Sequence, residues 1–173
     1  MNFKDITYLS QGSAEQQRIY KLLVQTDILE SLKQYDPIVV GTFPLDIQVA
    51  TSDIDILSQA NDLEQLAQQM TDAFGKEDEF KINRVAALAG PAIVASFKIA
   101  GQEFELFGQD VPSDLQMGYL HMVKEYEILQ KFGEKFKQQV IALKASGIKT
   151  EPAFCQLLDI DGDPYLNLLK YEV

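Results

Sequence analysis

Apolar residues recur at helical spacing near the start of the chain, where Ile19, Leu22, Leu23, Leu29 and Leu32 share one stripe. Ser13 and Gln16 make a capping-box spacing that predicts the helix start, and Pro37 predicts its end. The period then changes. Ile38-Val39-Val40 reads as a short buried strand ending at Gly41, and residues 53–57 read as a second strand. A helix is expected from about Asp62, with Leu63, Leu66, Ala67, Met70 and Phe74 on one face and Gly75 as its stop. Residues 80–88 are strand-like. Ile93, Ala95, Phe97 and Ile99 alternate, and Phe104 and Leu106 alternate again after an Ala100-Gly101-Gln102 turn, which predicts a hairpin.

From Pro112 onward the pattern is helical only. Ser113 is expected to cap a helix carrying Leu115, Tyr119, Met122, Tyr126 and Leu129. Gly133 interrupts it, Phe136, Val140 and Leu143 mark another helix ended by Gly147, and Thr150-Glu151-Pro152 begins a third with Thr150 as its cap. The order is helix, strand pair, helix, three strands, then helices alone. This predicts an α/β (α+β) body with a mixed β-sheet flanked by helices over residues 1–111, and a C-terminal helical part packed on it over 112–173.

A chain of 173 residues suits one domain with at most a small appendage. Its 46% hydrophobic and 24% charged residues are ordinary for a globular protein, whereas a net charge of −11 is not. Residues 1–110 hold 17 acids against 8 bases, and residues 111–173 hold 9 against 7. Such a surface disfavours phosphate backbones and anionic membranes as bulk partners. One cysteine and one histidine exclude Cys/His zinc sites and disulfide frameworks. No apolar run approaches the ~20 residues of a membrane span, and the N-terminus lacks a signal-peptide layout, so a cytoplasmic location is expected.

The informative stretch runs from Gly41 to Ile56. Side chains alternate along a strand, so Asp53 and Asp55 point one way while Ile54 and Ile56 point into the core. Two carboxylates at this spacing suit hard cations such as Mg²⁺, which prefer oxygen ligands. A third carboxylate on a neighbouring strand would complete a two-metal site for phosphoryl transfer, and Glu103 and Glu105 share a strand face from which either qualifies. Gly41 after a buried strand lets backbone approach a phosphate, with the Thr42 hydroxyl beside it as a donor.

Other features read more simply. His121 and Glu125 stand one helical turn apart, and with no second histidine a helix-surface or interdomain hydrogen bond is the favoured reading over a ligand or acid–base pair. The 159–163 acidic run fails the calcium-loop pattern and reads as a turn, with Asp163 capping a helix that has Pro164 at its first position. Arg84, and Lys149 beside Thr150, are candidate phosphate contacts for which an ordinary surface role is favoured. Lys124, Lys131 and Lys135 read as an electropositive wall over the acidic site or as a solvated face, the latter favoured, and Cys155 reads as a buried free thiol.

The Gly41-Thr42 pair, the ten-residue gap and Asp53-Ile54-Asp55-Ile56, followed by an acidic residue on a later strand, resemble the nucleotidyltransferase superfamily with its DNA polymerase β-like fold. The departure is Thr42 where serine is usual; the hydroxyl is kept and a methyl is added. The segments DPIVVGTFPL, SDIDIL, FELFGQ, GIKTEPAF and LDIDGDPY, in this order, make nearly the whole chain similar to a bacterial domain-of-unknown-function family within that superfamily. The resemblance implies Mg²⁺ (or Mn²⁺) held by Asp53, Asp55 and Glu105, with Glu103 competing for the third place, and a nucleoside triphosphate cradled by Gly41, Thr42 and Ser52. It implies transfer of a nucleoside monophosphate to a hydroxyl on an unknown small-molecule or protein acceptor. With the charge of −11, a long nucleic acid is disfavoured as that acceptor and no membrane partner is expected. The alternative is a catalytically silent member of the fold that binds nucleotide or another protein.

Overall fold

The computed structural model describes residues 1–173. The N-terminal helix α1 (Ala14–Thr26) begins at Ser13, whose hydroxyl accepts from the Gln16 N–H while the Gln16 side chain accepts from the Ser13 N–H. The single helix expected to reach Pro37 is broken. Asp27 adopts a left-handed conformation (φ 54°), which ends α1 and starts the one-turn α2 (Ile28–Ser31) in a new direction. Leu29 and Leu32 still pack on the core, because the stripe continues across the break.

Five strands follow in a mixed sheet: β1 (Ile38–Val40), β2 (Ile54–Gln59), β3 (Asp78–Ala87), β4 (Gly90–Ile99) and β5 (Gln102–Gln109). The spatial order is β1-β2-β5-β4-β3. Only β2 and β5 run parallel; the other three pairings are antiparallel. The crossover that a parallel pair requires is made by α4 (Leu63–Phe74) and the β3–β4 hairpin. Asp62 caps α4 through the N–H groups of Glu64 and Gln65, and Gly75 closes it. The short helix α3 (Thr42–Leu45), which no hydrophobic period announced, turns the chain directly after β1.

Each face of the sheet has its own core. On one face Val39, Ile54, Ile56, Phe97, Phe104 and Leu106 pack against Ile19, Leu23, Leu66 and Met70 from α1 and α4. Phe74, Phe97 and Phe104 stack there with centroids 4.9 and 5.5 Å apart. On the other face Ile38, Val40 and Leu57 pack against Met122, Ile128, Val140 and Phe154, from α5 (Met117–Ala145) and α6 (Thr150–Leu158). The C-terminal helices therefore cover the face to which Asp55 and Glu105 belong, since Ile54, Ile56, Phe104 and Leu106 take the opposite one.

The entry to α5 differs from expectation. Ser113 starts a short 3-10 turn (Ser113–Leu115), and α5 begins after Gln116. Buried Gln116 donates to the Ser58 and Val111 carbonyls, both at 2.9 Å, and this tie to β2 fixes where the helix starts. Gly133 (φ 74°) interrupts α5 as the sequence indicates. At the start of α6 the capping position is Lys149, and Thr150 is already helical. The final helix α7 (Pro164–Asn167) is capped by Asp163, which accepts from the Tyr165 N–H.

Asp46, left-handed at the end of α3, joins three distant segments. Its carboxylate accepts from Ser13 Oγ at 2.6 Å and pairs with Lys137 Nζ of α5 at 2.6 Å. Burial alone would raise the carboxyl; the bonds from Lys137, Ser13 and Gln48 outweigh it and hold the group below the ordinary aspartate range. A depressed carboxyl contributes stability above its unfolded pKa of ~3.9 that is lost as the pH falls through the folded value. Lys137→Met is expected to cost about 1–2 kcal/mol at pH 7. Thermal melts of variant and wild type should converge below about pH 4; an undiminished difference at pH 3 would show that Lys137 acts through packing alone.

Candidate functional site

The floor of the site is the C-terminal-helix side of β1, β2 and β5. In the register, Val40 lies opposite Asp55, and Asp55 lies opposite Glu105 across the parallel pair. Asp53 stands two residues before Asp55, at the mouth of β2, so the three carboxylates converge on one end of the sheet. Glu103 faces the same way but lies opposite Lys98 on β4 and is exposed; it is absent from the cleft lining, where Glu105 is present.

That lining encloses about 850 Å³ between the sheet, the loop after β1, and helices α5 and α6. Gly41 adopts φ 78°, a region that favours glycine, and a Cβ there would overlap the Asp55 carboxylate. Glycine is thus required twice, by its backbone and by the approach of Asp55. The Thr42 hydroxyl is buried at the cleft without a hydrogen-bond partner. Ser52 also lines the cleft, but its hydroxyl accepts from the Val49 N–H and pins the loop that delivers Asp53.

Charge in this cleft is unevenly compensated. Asp55 retains some exposure, yet it lies deep enough that burial, reinforced by Asp53 and Glu105, pushes its carboxyl well above the ordinary range, against the pull of Lys144. Burial and the charge of Asp53 likewise raise Glu105, with exposed Lys149 opposing. An all-oxygen donor set with an excess of negative charge fits a hard divalent cation. The orphaned Thr42 hydroxyl, which lines the cleft next to Gly41, fits a phosphate.

The domain of unknown function DUF4269 matches residues 21–171. The chain belongs to the DUF4269 family. No curated protein matches it. Among solved structures it is similar to the RNA terminal uridylyl transferase Cid1 (TM-score 0.55, 12% identity, 80% of this chain and 45% of that one). It is also similar to the polymerase core of TRAMP, an RNA surveillance complex (0.55, 18%, 95% and 50%). A cytoplasmic RNA terminal U-transferase is a third (0.52, 11%, 80% and 43%). The chain spans about half the length of these neighbours or less. The shared architecture is the nucleotidyltransferase-like fold, a mixed sheet flanked by helices. No helix of this DUF4269 chain is long and apolar enough to cross a membrane.

Several residues of the cleft had no signal of their own in the sequence. Lys144, 8% exposed, donates to Thr150 Oγ1 at 2.9 Å and responds to Glu125, Glu151, Asp55 and Asp53 together. Burial lowers its pKa, against the raising effect of those four acids. In a straight helix Glu125 and Lys144 would lie about 28 Å apart; the reversal at Gly133 returns Lys144 to the cleft. His121 and Glu125, for which the sequence favoured a helix-surface or interdomain hydrogen bond, are instead buried and line the cleft with Glu151, and neither ring nitrogen of His121 has a hydrogen-bond partner. Arg84 lies away from the cleft and pairs with Glu64. Lys124, Lys131 and Lys135 are likewise outside it.

Two measurements test this geometry. Gly41→Ala is expected to cost about 1–3 kcal/mol from backbone strain alone. The overlap adds to that cost, so the substitution should be less damaging in an Asp55→Ala background, and an additive double-mutant cycle would refute the overlap. Asp55 has a raised folded pKa, so its contribution to stability is present below the unfolded pKa and lost as pH rises through the folded value. Asp55→Asn should therefore raise the melting temperature of the metal-free protein at pH 8, with the gain fading towards pH 4.

Proposed function

We propose that this chain transfers a nucleoside monophosphate from a nucleoside triphosphate to a hydroxyl-bearing acceptor. The observation that carries the reading is the convergence of Asp53, Asp55 and Glu105 beside Gly41 and an unpartnered Thr42 hydroxyl. Asp53 and Asp55 would hold Mg²⁺ or Mn²⁺ jointly, and Glu105 would hold the ion nearer the acceptor. Bound there, divalent ions supply charge neutralisation on the triphosphate and acidify the attacking hydroxyl.

The protein's part is positioning. Gly41 lets main chain approach the phosphates, and Thr42 donates its hydroxyl to a phosphate oxygen, with Ser52 holding the loop beside it. Lys144 and Lys149 stand on the opposite wall, where their charge meets the same triphosphate. Lys144 is the better placed of the two, being buried and fixed on Thr150. The acceptor oxygen bonds to the α-phosphorus as the bond from the α-phosphorus to the bridging oxygen breaks; the hydroxyl proton passes to solvent water and pyrophosphate leaves.

For the acceptor we favour a small molecule or a protein side chain. The named activities of the fold neighbours concern RNA, including terminal uridylyl transfer. A net charge of −11 argues against a long polynucleotide on this chain. The test is incubation with each labelled nucleoside triphosphate, Mg²⁺ or Mn²⁺, and separated protein, small-molecule and RNA acceptor fractions. Label transfer is expected to fall at least ~10²-fold in Asp53→Asn and Asp55→Asn. Lys144→Met should mainly raise KM for the triphosphate. Metal-dependent stabilisation by a triphosphate, without transfer to any fraction, would identify a nucleotide-binding module in place of an enzyme.

A further inference from the structure

Beyond the three sheet carboxylates, the cleft holds a second group of donors of different chemistry. His121 and Glu125 lie one turn apart on the first run of α5, and Glu151 lies in the first turn of α6, beyond the Gly133 reversal. One ligand atom from each falls within 4.8 Å of the other two. His121 is 5% exposed and Glu125 3%.

The histidine is anomalous for a buried side chain. Both Nδ1 and Nε2 lack a hydrogen-bond partner; the Tyr165 main chain lies alongside, outside hydrogen-bonding geometry. A buried polar group left unpaired is costly, and a neutral imidazole has one lone pair available to a cation. The two glutamates are also uncompensated. Lys144, the cation that both feel, directs its hydrogen bond to Thr150. Burial, with Glu151 beside it, pushes the Glu125 carboxyl well above the usual range despite Lys144, so this acidic pair lacks a cation close to the unpartnered nitrogen.

We propose that His121, Glu125 and Glu151 bind a transition-metal dication, with Zn²⁺ or Mn²⁺ preferred over Mg²⁺. One imidazole nitrogen with two carboxylate oxygens suits these ions, whereas Mg²⁺ favours oxygen and water. Tetrahedral ligand atoms at ~2.1 Å from Zn²⁺ lie ~3.4 Å from one another, so closure of the group needs about an ångström of side-chain movement. Three protein ligands leave a coordination position towards the cleft, which all three residues line. The ion would tie the first run of α5 to the start of α6 across the reversal, holding Lys144 and Thr150 between the ties. This site is separate from the Asp53, Asp55 and Glu105 centre and does not depend on the transfer reaction proposed for it.

The experiment uses the full chain, untagged and stripped of metal. Thermal melts are recorded with Zn²⁺, Mn²⁺ and Mg²⁺, and visible absorption with Co²⁺ in place of Zn²⁺. Zn²⁺ at a hundredfold excess over its Kd should raise Tm by roughly 5–10 °C, and Co²⁺ should give visible ligand-field bands. Both signals should survive in an Asp53→Asn, Asp55→Asn background, which disables the sheet carboxylates, and be lost from that background on adding His121→Gln. Half-buried Glu151→Gln, the variant less exposed to folding defects, should lose them too, with its fold checked by circular dichroism. The proposal is overturned if Zn²⁺ and Co²⁺ give neither signal in that background, or if Mg²⁺ reproduces the shift there. It is equally overturned if the signals persist when Glu151→Gln is added to that background.

Discussion

Three carboxylates held at one end of a parallel strand pair repel one another, and much of the molecule is organised around tolerating that repulsion. The register of β2 and β5 places Asp55 directly opposite Glu105, with Asp53 at the strand mouth. Burial and mutual charge raise both Asp55 and Glu105 above the usual carboxylate range. Such a floor is unfavourable in the metal-free protein, and the divalent cations proposed for it would offset the repulsion. Stability is given up there for a charge that a ligand can use, and the two hydrophobic cores on either side of the sheet make the arrangement affordable.

The wall facing this floor comes from a helix that doubles back. Gly133 reverses α5, so His121 and Glu125 on its first run meet Lys144 on its second and Glu151 on α6. The cleft therefore has two electrostatic characters. Near the strands it offers oxygen donors, a positive-φ glycine and an unpartnered hydroxyl. Near the helices it offers a buried ammonium, an imidazole and two more carboxylates. The tie between Gln116 and β2 and the Asp46–Lys137 pair hold the two walls at their separation.

Much of the sheet was legible because burial imposes simple periods. The alternation of Phe104 and Leu106 with Glu103 and Glu105, and of Ile54 and Ile56 with Asp53 and Asp55, assigns each side chain a face before any contact is known. Departures came where local signals were weak or tertiary contacts overrode them. Asp27 breaks the first helix by a left-handed turn that aspartate permits without announcing. Ser113 had the better capping chemistry, but the hydrogen bonds of buried Gln116, to Ser58 of β2 and to Val111, decided where α5 begins. Helix α3 is too short to show a period.

By itself the sequence determined which carboxylates share a face, that a glycine and a hydroxyl follow the first strand, and that the C-terminal third is helical. Alternation and capping act over a few residues, so they can be read locally. Which of Glu103 and Glu105 faces Asp55 belonged to tertiary structure, because both share one strand face and only pairing with β2 and β4 sets Glu105 opposite Asp55 and Glu103 opposite Lys98. The inward placement of Lys144, His121 and Glu151 was decided there too. Their meeting depends on a helix reversing at one glycine, and the partners lie up to 98 residues apart along the chain, as Asp53 and Glu151 do in their common reach to Lys144. Short-range patterning fixes faces; long-range packing selects which of those faces meet.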